Sequence, residues 1–278
     1  MTRSTGDVSL VVTDLDGTLW HTDDEVHPTA TAALHEVLRS GPPLLVATGR
    51  RLTSTRVPLE RLGVSPPAVV LNGALGLDLA TAVRFHRAPF PTAEAVAVLD
   101  AFQATGLDPC VYGDGVTMEG RSIEVWLSPT PSTHDGHVEM LTPSAAVGDL
   151  SEVVQRETVL AFGLLGVQHE RLVAAKEAIG DTAEVHLDRS LDYPGLAAMT
   201  VAPQGQSKWD GVLAFCRMEG IDSTKVLVLA DGPNDIELLT NAAHRLVPDN
   251  AHPAAQALAD HLIPPAADGG WARVLDHL

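Results

Sequence analysis

Asp14 and Asp16, separated only by Leu15, close an apolar run in the segment 10–20, which reads LVVTDLDGTLW. Two carboxylates this close are costly to ionise together unless a cation or a proton compensates them. A second acidic cluster, Asp231 and Asp235 in ADGPND at 230–235, also follows an apolar run. Lys208 and Thr48 add a cation and a hydroxyl elsewhere in the chain. These residue types suit phosphoryl transfer. Mg²⁺ prefers carboxylate oxygens and commonly bridges them to a substrate phosphate, and Asp14, Asp16 and Asp231 can supply such ligands. A carboxylate can also attack phosphorus and form an aspartyl-phosphate that water later cleaves. A neighbouring carboxylate can protonate the leaving oxygen and then deprotonate that water. Lys208 and Thr48 would donate where charge builds on the transferring group.

The apolar spacing says what must position these groups. The run at 10–12 reads as a buried parallel strand feeding a loop. Residues 29–39 carry helical spacing and stop at Gly41-Pro42-Pro43. Short strands at 44–47 and 68–71 end in Thr48-Gly49-Arg50 and Asn72-Gly73, and 226–230 is the clearest later strand. Strand, helix, strand in this order predicts right-handed parallel crossovers. Asp14, Thr48, Asn72 and Asp231 would then share the carboxyl edge of one sheet, where ligands bind in open α/β folds.

From about Phe90 the pattern changes. Helices are expected over 92–104 and 169–179, and strands at 110–112, 123–127, 158–165, 184–187 and 197–202. A loop rich in Pro, Ser, Thr, His and Gly fills 128–137, and no strand here ends in acidic residues as the first does. The expected fold is α/β: a doubly wound parallel-sheet, Rossmann-like core formed by 1–87 and 203–278, with an inserted α+β domain over 88–202.

Composition narrows the function classes. Lys and Arg number 18 against 36 Asp and Glu, a net charge of −18, with no basic run of useful length. That argues against nucleic acid as a partner. It also means that an anionic substrate needs local help from Mg²⁺ or a placed lysine. The 278 residues include no segment long and apolar enough for a signal peptide or a membrane span. Two distant cysteines, Cys110 and Cys216, suit a reducing compartment, so the cytoplasm is the expected location. Oligomeric state leaves no trace in the sequence.

The motifs resemble those of the haloacid dehalogenase-like hydrolases. DLDGTL at 14–19 is similar to that family's first motif, and Thr48 in ATGR to the second. Lys208 in GQSKWDG is similar to the third, and ADGPND at 230–235 to the fourth. The segment 70–74 (VLNGA), together with the tail elements 249–251 (DNA), Asp260 and 268–270 (DGG), looks like the Cof-type branch, which inserts a class II cap between the second and third motifs. The resemblance covers nearly all of the core; the insert matches in placement and size alone. It implies Asp14 as nucleophile and Asp16 as general acid/base. It also implies Mg²⁺ held by the Asp14 side chain, the Asp16 main-chain carbonyl and Asp231. Thr48, Gly49, Lys208 and Asn234 would bind the phosphoryl group, and Asp235 would orient Lys208 or metal-bound water. Two departures stand out: Ala230 for the glycine before the acidic motif, and Trp209, which would put a large ring beside the site. The implied activity is a Mg²⁺-dependent phosphatase acting on a small phosphorylated metabolite, a sugar phosphate or phosphorylated cofactor, with closure of the cap excluding bulk water. A phosphomutase with the same nucleophile and a catalytically idle binding module are the alternatives. The intact acidic motifs argue against a hydrolytic dehalogenase.

Plainer roles exist for each residue. The two aspartates could cap a turn, Thr48 could cap the next helix, Lys208 could be a solvated charge, and Asp231 and Asp235 could begin a helix. Arg50 and Arg51 fit a phosphate contact or a surface ion pair. His134 and His137, close together in a loop without cysteine, read as exposed rather than metal-binding. Trp126, Tyr112 and Met118 lie in the insert and could face a substrate, but aromatics and Met are more often core, so none is assigned as a contact.

Overall fold

A computed structural model describes residues 8–115, 123–190 and 192–278; Met118 lies outside them. The described chain divides into two compact units, Met1–His86 with Ser207–Leu278, and Arg87–Gln206.

The first unit is built on an eight-stranded sheet. Six strands run parallel, in the spatial order His261–Ile263, His244–Pro248, Val226–Leu229, Leu10–Thr13, Leu44–Ala47, Pro67–Val70. Leu75–Asp78 then adds antiparallel to Pro67–Val70, and Arg84–Arg87 completes the sheet. These last two strands escape the apolar pattern because one carries Gly76 and the other reads RFHR. The chain leaves Leu10–Thr13 toward one side of the sheet and returns on its other side with Val226–Leu229. The order therefore reverses between these two strands, the switch point where open α/β sheets bind ligands.

Strand alternation puts Leu10 and Val12 against Val212, Phe215 and Cys216 of the Lys208–Glu219 helix, with Leu238 and Leu239 of the Ile236–Asn241 helix beside them. Thr13, of opposite parity, meets Trp271, whose indole N–H donates to the Thr13 hydroxyl at 2.9 Å. That C-terminal turn packs on the Pro28–Ser40 helix, so helices cover both faces and the fold is doubly wound. The Thr13 hydroxyl in turn donates to the Asp14 carbonyl at 2.7 Å, fixing the backbone where the first motif begins.

The second unit carries a six-stranded sheet, in the order Ala183–Arg189, Ala197–Pro203, Ala161–Val167, Cys110–Tyr112, Val125–Leu127, Ala145–Val147. Its pairings are antiparallel except the last. Phe162, Leu164, Met199 and Val201 pack with residues of the Thr92–Ala104, Leu150–Arg156 and His169–Ile179 helices in a core of its own. Trp126 belongs to that core, and Tyr112 is buried. Two expectations fail here. The 128–137 loop is not wholly loop: a helix, Asp135–Leu141, starts within it, because the His134 ring accepts the Gly136 N–H and caps the first turn. His134 also stacks on Tyr193, and His137 is buried, so neither is the exposed loop residue expected. Nor is the unit without an acidic strand end. Cys110–Tyr112 leads to the buried Asp114, whose charge is met by Arg87 at 2.8 Å, a partner 27 residues back that spacing does not reveal.

Candidate active site

The buried core of the site is one lysine between two carboxylates. Lys208 is the first residue of its helix, whose start is pinned by the Asp210 carboxylate accepting the Ser207 N–H at 2.9 Å. Its side chain is only 1% exposed, and its Nζ donates to Asp14 Oδ1 at 2.9 Å and Asp235 Oδ1 at 2.7 Å. Asp235 is held from the other side, its second oxygen accepting the Gly232 N–H at 2.9 Å. The Asp14 N–H donates to the Leu229 carbonyl at 2.9 Å, which couples the nucleophile candidate to the strand that carries Asp231.

Asp231 is oriented by Thr18, whose hydroxyl donates to its Oδ1 at 2.8 Å. Gly17, next to Thr18 in the chain, adopts a φ of +74° and lies so close to the Asp231 carboxylate that a Cβ would collide with it. Backbone conformation and close approach both demand glycine there.

The phosphate-facing candidates meet through an asparagine to which sequence spacing assigns no role. Thr48 is fully buried and its hydroxyl accepts the Arg50 N–H at 3.2 Å, so it caps a turn as well as lying at the strand end. Asn234 Nδ2 donates to Asn72 Oδ1 at 2.9 Å, and the Asn72 amide lies over Gly49. Leu71 and Asn72 both hold left-handed φ values, 53° and 52°. That conformation costs non-glycine residues about 1–2 kcal/mol each. Hydrogen bonds from the Leu71 N–H to the Arg50 carbonyl, 2.9 Å, and from the Asn72 N–H to the Thr48 carbonyl, 3.1 Å, hold it in place. Asn72-Gly73 at a strand end was the available signal; the link to Asn234 was not.

Asp16 is placed differently. Arg50 grips it with a fork, Nε to Oδ2 at 2.7 Å and Nη2 to Oδ1 at 2.6 Å. The Trp20 indole N–H adds a third bond to Oδ1 at 3.0 Å. The guanidinium lies 4.8 Å from the centre of the Trp20 ring, and its Nη1 donates to Asp24 at 2.6 Å. Arg50 thus takes the ion-pair role of its two options. Trp209 packs against the apolar core cluster of the first unit.

Electrostatics separates the carboxylates. Burial pushes the Asp14 carboxyl well above its usual range; Lys208 pulls it back, and Asp235, Asp231 and Asp16 push it up again. Burial, then Asp235, raise Asp231 to about 7, although its bond from Thr18 opposes the shift. Burial works against the Lys208 ammonium, but Asp14 and Asp235 outweigh it and hold the amine above the ordinary lysine value. Ligand oxygens of Asp14, Asp231 and Asp235 lie within 4.8 Å of one another. One lysine faces three carboxylates in this cluster. An all-oxygen, charge-deficient cluster of this kind fits a hard divalent cation such as Mg²⁺.

The family model for haloacid dehalogenase-like hydrolases matches residues 11–275. The chain belongs to this family. It is 23% identical over 260 residues to the pyridoxal phosphate phosphatase YbhA of Escherichia coli K12, covering 91% of this chain and 92% of that protein. It is 24% identical over 281 residues to the phosphoglycolate phosphatase of Methanopyrus kandleri, covering 97% of each. Its fold matches that of the subclass IIB sugar phosphatase BT4131 with a TM-score of 0.74 at 20% identity, over 97% of this chain and 98% of the other. The Cof-type resemblance of the motifs therefore stands. Among the described residues, no helix is long and apolar enough to cross a membrane.

Proposed function

We propose that this phosphoric monoester hydrolase cleaves a small phosphomonoester through an aspartyl-phosphate on Asp14, with Mg²⁺ as cofactor. The observation that carries the reading is the buried Lys208 bridge between Asp14 and Asp235, beside Asp231 at the sheet's switch point. An Asp14 oxygen attacks phosphorus as the bond to the leaving oxygen breaks, and that oxygen takes a proton from the Asp16 carboxyl. Asp16, now ionised, accepts a proton from water; the water oxygen attacks phosphorus, and inorganic phosphate leaves with Asp14 regenerated. Lys208 offsets the repulsion between carboxylate and phosphate, and Asp235 aims it. The Thr48 hydroxyl, the Gly49 N–H and the Asn234 amide donate to phosphoryl oxygens, with Asn72 setting the amide. The side chains of Asp14 and Asp231 and the Asp16 carbonyl would hold Mg²⁺, which supplies charge neutralisation for an anionic substrate.

Residues 1–87 and 203–278 are assigned the chemistry, and the inserted 88–202 cap the choice of substrate. Similar proteins act on pyridoxal phosphate, phosphoglycolate and sugar phosphates, which supports a small phosphorylated metabolite as the substrate. A reducing cytoplasm suits the two buried cysteines, which form no disulfide. Mg²⁺-dependent release of phosphate from p-nitrophenyl phosphate tests the assignment. Asp14→Asn should abolish it, and retained turnover would sink it. A panel of those metabolites, read as free phosphate against isomerised product, names the substrate class and excludes a mutase.

A further inference from the structure

The Asp16 carboxylate has three of its acceptor sites filled, by two guanidinium N–H groups and one indole N–H. Carboxylate groups offer about four such sites in all. Asp16 also lies outside the cluster of ligand oxygens formed by Asp14, Asp231 and Asp235. The clamp has its own anchor, because Asp24 fixes Arg50 from the far side and the Trp20 ring supports the guanidinium plane. An Arg–carboxylate fork is among the strongest side-chain contacts and fixes orientation as well as distance.

Resting on the reading of Asp16 as acid/base, we infer that Arg50, Trp20 and Asp24 are positioning residues that hold Asp16 off the phosphoryl site, and that release from this clamp admits Asp16 to proton transfer. With the fork and the indole in place, Asp16 keeps one open site, on Oδ2, and the clamp fixes the direction in which that site faces. On this inference the competent form is the released one, and the rate of any Asp16-dependent step scales with its population.

Two substrates separate that step from the rest. p-Nitrophenolate departs without a proton, whereas the alkoxide of β-glycerophosphate needs one. kcat/KM reports the reaction up to departure of the leaving group, so the ratio of kcat/KM for β-glycerophosphate to that for p-nitrophenyl phosphate reads proton delivery by Asp16. Trp20→Phe removes one bond and keeps the ring; Asp24→Asn removes the anchor; Arg50→Lys keeps the charge and loses the fork. Each should raise the ratio by about threefold to tenfold, as expected when a resting state is weakened by one hydrogen bond. A lower ratio would mean that the clamp holds Asp16 in its working position, and an unchanged ratio that the contacts are structural; either overturns the inference. Asp16→Asn in the wild-type background is the control, and should collapse the ratio. If it does not, the acid/base reading of Asp16 fails, independently of the clamp. Thermal unfolding of all four variants confirms that folded protein is being compared.

Discussion

Asp14 and Asp16 stand two positions apart and live in opposite electrostatic worlds. Asp14 is buried against a buried lysine, with Asp231 and Asp235 crowding it, and its carboxyl is driven upward. Asp16 is half-exposed and held in an arginine fork with an indole donor. The pair teaches that adjacency in a motif does not imply a shared environment. What separates the two environments is burial and the partner each side chain finds, Lys208 from a helix start 194 residues away and Arg50 from the second strand end.

Lys208→Met breaks the buried side of the comparison most severely. It leaves Asp14 and Asp235 without their shared cation, and should cost about 3–5 kcal/mol in denaturant unfolding together with nearly all activity. Unfolding within 1 kcal/mol or so of wild type would mean that the pair is neutral in the fold. Asp16→Asn should behave oppositely. Its kcat/KM on an alkyl phosphate should fall by about 10²–10⁴, while unfolding shifts by no more than about 1 kcal/mol, as for other partly exposed pairs. Asn72→Ala removes the acceptor that sets Asn234 and puts alanine in a left-handed conformation that asparagine tolerates better. It should lower kcat/KM by about tenfold to a hundredfold, seen mainly in kcat.

The smallest effect sharpens the contrast with a surface fork. Arg245 donates to Asp260 through Nε and Nη2, both at 3.0 Å. Burial tends to raise Asp260, but hydrogen bonds and charge from Arg245 hold it below its usual value. With the folded value below the unfolded one, the stabilisation is present above the ordinary carboxylate range and is lost as pH falls through the folded value. Asp260→Asn should lower the melting temperature by about one degree at neutral pH. The difference from wild type should close in acid; a difference that persists there assigns it to something other than the ion pair.

The parallel core was legible because its strands are short apolar runs that stop at Asp, Thr or Asn, and such stops mark the carboxyl edge. Lys208 was legible only through its place in the order of motifs, since nothing local distinguishes it from a solvated lysine. The Asp16 clamp was not legible. Trp20 and Asp24 carry no spacing signal, and their part depends on where the Arg50 side chain reaches after the second strand. Asp114 and His137 were missed for a related reason: each is buried by a contact that crosses many residues, and a polar residue reads as exposed until its partner is known. Asn72 lay between these cases, visible as a strand end but silent about its bond to Asn234.

In the proposed mechanism Asp14 carries the phosphoryl group. Acid-quenched turnover of a phosphomonoester with Mg²⁺, followed by peptide mass analysis, should find one phosphoryl group on the peptide containing Asp14, and none in Asp14→Asn, which should also release no phosphate. A phosphoryl group on any other residue, or turnover that survives the substitution, would rule out Asp14 as the nucleophile.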